Sequence, residues 1–94
     1  MRMISSFKCK DTQELYETGA NRRFASIARV ALRKLDMLAA ATMVETLRVP
    51  PGNRLEQLRG GRGGQWSVCI NDQWRLCFCW SGTNAENVEI VDYH

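Results

Sequence analysis

The residues whose types best suit chemistry are the last four, which read Val91-Asp92-Tyr93-His94 at the end of a predicted strand. His94 is the only histidine of the sequence, and histidine is the side chain whose unperturbed pKa lies nearest neutral pH. Because side chains alternate along a strand, we expect Asp92 and His94 on one face and Tyr93 on the other, unless the strand end twists or frays. An imidazole, a phenol and carboxylates at one strand end favour acid–base chemistry. The alternative is a solvated chain terminus with no chemical role.

A second candidate is the stretch 53–64, in which four glycines are interspersed with Arg54, Arg59 and Arg62. Glycine allows the backbone to approach a ligand closely, and the planar guanidinium group donates two parallel hydrogen bonds to phosphate. No Gly-Lys-Ser/Thr sequence follows, so the stretch is not a P-loop. We interpret these arginines as candidate phosphate ligands, and the alternative is an exposed hairpin loop without a ligand.

Arg75 is the third candidate, because it falls inside a predicted strand. Alternation puts Leu76, Phe78 and Trp80 on one face of that strand and Arg75 on the other, with Cys77 and Cys79. A charged side chain on a rigid central strand is more often functional or ion-paired than idle.

Length and composition predict one folded domain over residues 1–94. The hydrophobic fraction of 45% is that of a globular protein. No run of about 18 apolar residues is present, and the N-terminus lacks an apolar signal segment, so we expect a cytoplasmic protein that is not bound to a membrane.

Charge is distributed unevenly along the chain. Residues 48–75 contain five arginines and two carboxylates, whereas residues 76–94 contain three carboxylates and neither lysine nor arginine. A basic middle beside an acidic end is compatible with nucleic-acid contact.

The four cysteines predict neither disulfides nor a metal site. Cys77 and Cys79 are two apart in one predicted strand and Cys69 is in its neighbour, so they are interpreted as small sheet residues. One Cys-x-Cys pair with a distant cysteine and one histidine is a poor zinc ligand set. No cofactor is predicted.

The N-terminal half predicts one strand and two helices. Residues 3–8 alternate like a strand, and Asp11 with Glu14 resembles a capping box before a short helix that ends at Gly19. A longer helical pattern runs from Phe24 to near Ala41, possesses an apolar stripe that we expect to pack on a sheet, and is followed by a helical turn over residues 43–47.

The C-terminal half predicts the sheet. Pro50 and Pro51 break the helical pattern, and Leu55 and Leu58 anchor a short strand or turn. Residues 66–70 and 75–80 form an antiparallel hairpin around a turn at 71–73, and residues 87–91 form the last strand. The order β-α-α-β-β-β predicts an α+β fold with two helices on one face of a small, mainly antiparallel sheet. The opposite face would carry Arg75 and the loop arginines, with the C-terminal residues at its edge.

Taken together, these motifs resemble the HigB branch of the RelE-like toxins over essentially the whole chain. The resemblance is carried by Phe7, a Leu-x-x-Leu-Arg-Gly loop, Gly64-Gln65-Trp66-Ser67, the turn Asn71-Asp72-Gln73-Trp74-Arg75-Leu76 and the terminal Val91-Asp92-Tyr93-His94. It implies a RelE-like fold and a bacterial toxin–antitoxin component that cleaves mRNA in the A site of the 30S ribosomal subunit. It also implies inhibition by a helix-turn-helix antitoxin of the HigA type, which would supply any contact with DNA.

The resemblance also assigns roles to residues. The family's terminal Asp-Tyr-His falls on Asp92, Tyr93 and His94, its strand arginine on Arg75 and its basic loop position on Arg59. Where some members have a loop histidine this chain has Glu56, so a two-histidine scheme cannot operate. Either Glu56 replaces that histidine, or the reaction relies more on positioning than on proton transfer.

Two further interpretations stay open. A non-catalytic basic module could bind RNA or the ribosome and block translation by occupancy, using the arginines without His94. A toxin without activity could act mainly as a co-repressor of its own operon together with its antitoxin.

Overall fold

Two helices occupy the N-terminal half of the chain, as predicted. The computed structural model describes residues 4–58 and 64–92. The helices are α1, Lys10–Thr18, and α2, Ala28–Ala40, with 3₁₀ turns at Ala25–Ile27, Val44–Arg48 and Pro51–Asn53. In this described part of the chain no helix is long and apolar enough to cross a lipid bilayer.

The ends of α1 confirm one sequence prediction and correct another. Gly19 adopts a φ of 83° and its N–H donates to the Leu15 carbonyl at 2.8 Å, so the predicted C-cap is confirmed. The capping box is wrong, because the N-cap is Cys9, two residues before Asp11, and Asp11 lies inside the first turn of the helix. Asp11 and Glu14 instead accept hydrogen bonds from Nδ2 of Asn21, at 3.2 and 2.7 Å.

The second half of the chain forms a four-stranded antiparallel sheet in the order β1-β2-β3-β4. The strands are β1, Glu56–Gln57; β2, Gln65–Cys69; β3, Trp74–Ser81; and β4, Asn84–Asp92. The predicted hairpin is confirmed as β2 and β3, and its turn is closed by Asn71, whose side-chain oxygen accepts from the N–H groups of Gln73 and Trp74 at 2.8 Å.

The predicted first strand is wrong for its described residues, 4–8. That segment forms only two isolated parallel bridges to β4, at Ile4 and Phe7. The cause lies in β4, where Asn87 has a φ of 52° and the pairing with β3 shifts register. A bulge bends and twists the strand locally, so the edge of β4 accepts a neighbour at separate points instead of along a continuous ladder.

The core lies between the helices and one face of the sheet, which confirms the α+β class. The predicted stripe of α2 is buried there, and Phe24 meets Trp74 edge to face with centroids 5.6 Å apart. The fully buried members of this core come from both layers: Leu15, Phe24, Ala31, Leu35, Leu38, Leu76, Phe78, Ala85 and Val88. One face of the sheet is therefore covered by the helices, and the other carries Arg75 and Ser67 together with the cysteines of β2 and β3.

Candidate active site

The sheet face turned away from the helices brings two of the predicted site residues together. Glu56 pairs with Ser67 across β1 and β2, and Cys69 pairs with Arg75 across β2 and β3. Directly opposed residues share a face, as do residues two apart on one strand. Because Leu76 belongs to the buried core, its neighbour Arg75 points to the other face together with Glu56 and Ser67, as predicted for Arg75.

The guanidinium group of Arg75 is held by contacts from β2 and from the segment that precedes β1. Its Nε donates to Oγ of Ser67 at 2.9 Å, and its Nη2 donates to the backbone carbonyl of Arg54 at 3.0 Å. Glu56 lies farther away, with Oε1 3.8 Å from Nη2. The side chain of Arg75 is 14% exposed and that of Glu56 is 56% exposed. The two hydrogen bonds orient the guanidinium through neutral oxygens, which do not cancel its charge.

Arg54 takes part in this site through its backbone. It follows the 3₁₀ turn Pro51–Asn53 and adopts a left-handed conformation, with φ 48° and ψ 54°. Its side chain is exposed, as a phosphate ligand would require, while its carbonyl faces Arg75. Asn53, immediately before it, is fully buried, so the carbonyl is presented by an anchored segment.

Asp92 lies at the end of β4 but not opposite Arg75. Its cross-strand partner is Trp74, whereas that of Arg75 is Val91. Strand alternation therefore directs the side chains of Asp92 and Arg75 to different faces. Oδ2 of Asp92 accepts a hydrogen bond from Nε2 of Gln73 at 3.1 Å, which ties the end of β4 to the turn before β3.

Four of the predicted site residues, Arg59, Arg62, Tyr93 and His94, lie outside the described residues. The ends of the arginine loop are nevertheless fixed. Leu58 donates its N–H to the Gln65 carbonyl at 2.8 Å, and Gln65 is four residues from Cys69, the partner of Arg75. The loop thus leaves the sheet about 13 Å from the level of Arg75, at roughly 3.3 Å per residue.

The described residues offer no cluster of three or more histidine, cysteine or acidic side chains that could hold a metal ion. All four cysteines are free thiols, and Cys77 is fully buried.

A profile of HigB-like toxins, described as RelE-like toxins of the type II toxin–antitoxin system HigB, matches residues 5–94. The chain belongs to this family of HigB-like toxins. It is therefore the toxin of a type II toxin–antitoxin system, and membership of such a system implies an antitoxin partner.

Two curated relatives agree with this assignment. Toxin HigB-1 of Vibrio cholerae is 41% identical over 80 residues, which cover 83% of this chain and 84% of the relative. Endoribonuclease HigB of Proteus vulgaris is 31% identical over 94 residues, covering 98% of this chain and 100% of the relative.

Solved structures give the fold. The crystal structure of YafQ from Escherichia coli superimposes with a TM-score of 0.59 and 12% identity, covering 99% of this chain and 94% of YafQ. A mutant of YafQ gives a TM-score of 0.60 with 15% identity and the same coverage. The HigB-like chain therefore has a RelE-like fold.

Three polar residues behind the HigB-like site were not singled out from the sequence. Ser67 and Asn53 are fully buried and Lys34 is 8% exposed. A signal existed only for Lys34, which falls three residues after Ala31 and four before Leu38, on the apolar stripe of α2. The sequence pattern indicates only that Ser67 belongs to a strand and that Asn53 follows the prolines that end the helical pattern.

Proposed function

We propose that this toxin is a ribosome-dependent endoribonuclease that cleaves mRNA in the A site and so inhibits translation. The observation that carries the proposal is the guanidinium of Arg75, which is held by two hydrogen bonds on the sheet face turned away from the helices. The relative from Proteus vulgaris, which aligns along 98% of this chain, is named an endoribonuclease. The proposed reaction uses no metal: the ribose 2′-hydroxyl attacks the adjacent phosphorus, leaving a 2′,3′-cyclic phosphate and a 5′-hydroxyl.

Arg75 stabilises the charge that develops on the phosphorane. A guanidinium stays protonated and offers a fork of donors that matches two phosphate oxygens. Donors that are already oriented cost no reorganisation when charge develops in the transition state. The contacts of Arg75 with Ser67 and Arg54 supply that orientation.

Proton transfer is assigned to the carboxylate and the imidazole. Glu56 lies on the same face as Arg75 and is 56% exposed, so it accepts the 2′-hydroxyl proton in place of the loop histidine of some relatives. His94 then protonates the leaving 5′-oxygen. Each such group contributes about 10²–10⁴-fold in rate. Tyr93 stacks on a base or assists the proton transfer, and Asp92 orients a cationic neighbour.

RNA phosphates are bound by Arg54, Arg59 and Arg62, and the ribosome supplies the in-line geometry of the substrate. Holding reacting groups in place contributes a large part of a rate enhancement. We therefore expect far slower cleavage of naked RNA than of ribosome-bound mRNA, and equal rates on both substrates would contradict the ribosome requirement.

The direct test is induction of the wild type, Arg75→Ala, Glu56→Gln and His94→Ala, with growth curves and mapping of mRNA 5′ ends. Codon-positioned cuts that disappear in Arg75→Ala, and that carry 5′-hydroxyl ends, support the proposal. Growth arrest that persists in Arg75→Ala and His94→Ala without new mRNA ends favours a module that blocks the ribosome by occupancy. Ends bearing 5′-phosphates would contradict attack by the 2′-hydroxyl.

The antitoxin is proposed to be a helix-turn-helix protein of the HigA type, and DNA binding occurs only through it. An electrophoretic mobility shift of the operator by the toxin–antitoxin complex, but not by the toxin alone, is the expected result. Operator binding by the toxin alone would overturn this assignment.

A further inference from the structure

Behind the site, a buried lysine and a buried asparagine join α2 to the segment that precedes β1. Nζ of Lys34 donates to Oδ1 of Asn53, and Nδ2 of Asn53 donates to the Leu47 carbonyl at 3.1 Å. Asn53 is fully buried and Lys34 is 8% exposed. Within the described residues no buried side-chain nitrogen or oxygen is left without a hydrogen bond, and in this pair each polar atom has at least one partner.

Lysine is an unusual choice at position 34. The position lies on the apolar stripe between Ala31 and Leu38, where leucine or methionine would pack without removing a charge from water. Lysine is almost never buried unless it is paired, and burying its ammonium group costs free energy. The partner here is a neutral amide. The unfavourable burial of the Lys34 ammonium group is explained best by the position in which its hydrogen bond holds Asn53.

That geometry leads directly to Arg75. Asn53 precedes Arg54, whose left-handed backbone, with φ 48°, directs its carbonyl to Nη2 of Arg75 at 3.0 Å. A left-handed conformation is unfavourable for a residue other than glycine and persists only when its surroundings impose it. The bonds that Lys34 and Leu47 make with Asn53 hold the preceding residue from the buried side of the segment, and the Arg54 N–H donates to the Pro51 carbonyl at 3.0 Å.

We propose that Lys34 and Asn53 are positioning residues that fix the guanidinium of Arg75 through the Arg54 carbonyl. Ser67 holds Nε from one side and the Arg54 carbonyl holds Nη2 from the other, so the plane of the group is defined by two anchors. Without the Lys34–Asn53 bond the Arg54 carbonyl shifts, and Nη2 loses the contact that holds it from that side. The effect on cleavage rests on the role proposed above for Arg75, whereas the effect on Arg75 itself does not.

Lys34→Met is the variant of choice, because methionine fills much of the lysine stem and suits a helix. Two quantities are measured: solvent exchange of the Arg75 Nε–H by ¹⁵N NMR, and kcat and KM for cleavage of mRNA on ribosomes. We expect exchange to be faster by about tenfold or more, because protection reports local opening. We expect kcat to fall by about 10- to 100-fold, because a misplacement of a catalytic group by about 1 Å can lower the rate about 100-fold. We expect KM to change less than about twofold.

Thr12→Val is the matched control. Thr12 is fully buried and its Oγ1 accepts from the Ile90 N–H at 3.0 Å, between α1 and β4. Thr12→Val loses one buried hydrogen bond as Lys34→Met does, but this bond is outside the series of contacts that leads through Asn53 and the Arg54 carbonyl to Arg75. We expect a similar loss of stability with unchanged Arg75 exchange and unchanged kcat. Equal effects of the two variants on kcat would show that lost stability alone is responsible and would overturn the proposal.

Two further results separate this proposal from the proposed function. If Arg75→Ala cleaves as fast as wild type while Lys34→Met frees the Arg75 Nε–H, the positioning role stands and the catalytic role of Arg75 fails. If Lys34→Met is folded and leaves both Arg75 exchange and kcat unchanged, the positioning role fails. Should Lys34→Met not fold, exchange on the wild type decides: Arg75 Nε–H and Asn53 Nδ2–H must open with the same dependence on urea, and unrelated dependences refute the link.

Discussion

Replacing Ser67 by alanine removes the acceptor for Nε of Arg75. Ser67 is fully buried and the bond is 2.9 Å long, while the side chain of Arg75 is only 14% exposed. A hydrogen bond to a charged group contributes about 1.5–3 kcal/mol, and leaving the donor buried without a partner costs a similar amount. We therefore expect Ser67→Ala to lower the free energy of unfolding by about 1.5–3 kcal/mol.

The assay is a double-mutant cycle with Arg75→Met, which keeps the aliphatic stem and removes the guanidinium. Urea unfolding followed by tryptophan fluorescence gives the four free energies, and Trp66 stands next to Ser67 in the sequence. The coupling energy between positions 67 and 75 should equal most of the loss in the single mutant, because the two side chains are in contact. For a domain of this size each 1 kcal/mol is equivalent to roughly 4–8 °C in Tm.

The same variant predicts a kinetic effect. Since Ser67 is one of the two anchors of the guanidinium, kcat should fall in Ser67→Ala while KM for ribosome-bound mRNA stays near its wild-type value. A coupling energy under about 0.5 kcal/mol, together with wild-type cleavage, would refute the claim that this bond orients Arg75. Wild-type cleavage with full coupling would instead limit Ser67 to a structural role.

Two other substitutions test the residues around Arg75. Arg54→Gly should be more stable than Arg54→Ala by about 0.5–1 kcal/mol, because glycine adopts the left-handed conformation at φ 48° without strain; urea midpoints measure this, and equal stabilities would contradict it. Both variants should bind RNA more weakly and with a shallower salt dependence, since both lose one phosphate ligand. Glu56→Gln should reduce single-turnover cleavage by about 10²–10⁴-fold and change stability by less than about 1 kcal/mol, because the pair with Arg75 is 3.8 Å long and Glu56 is exposed. A reduction below about threefold would remove Glu56 from proton transfer.

The parts of the fold that could be predicted are those whose signal is local. The helical spacing of Leu35 and Leu38 and the alternation of Leu76 and Phe78 record burial directly, because one face of each element must meet the core. The predicted orientation of Arg75 followed from the same alternation. A local pattern does not show whether a segment can pair continuously with the edge strand of the sheet. Residues 4–8 alternate like a strand, but the bulge beside Asn87 in β4 allows only isolated bridges to them.

The parts of the site that could not be predicted depend on contacts between distant residues. Arg75 is held by a backbone carbonyl 21 positions away, and a carbonyl carries no signal in the sequence because every residue has one. The bond from Lys34 to Asn53 spans 19 positions. The left-handed backbone conformation of Arg54 could not be predicted either, because that conformation is usually adopted by glycine or asparagine.

The proposed phosphate ligands lie on both sides of β1 in the sequence, with Arg54 before it and Arg59 and Arg62 after it. Arg54 lies before β1, at the level of Arg75. Arg59 and Arg62 follow Leu58 in the sequence, and Leu58 bonds to Gln65 at a point about 13 Å along the sheet from Arg75. We therefore expect Arg59→Ala and Arg62→Ala to raise KM and to reduce the salt dependence of binding, with kcat nearly unchanged. Steady-state kinetics on ribosomes at several salt concentrations measure this, with Arg33→Ala on α2 as an exposed control. If Arg59→Ala lowers kcat as strongly as Arg75→Ala, the loop folds back to the reacting phosphate and Arg59 acts beside Arg75 in the transition state.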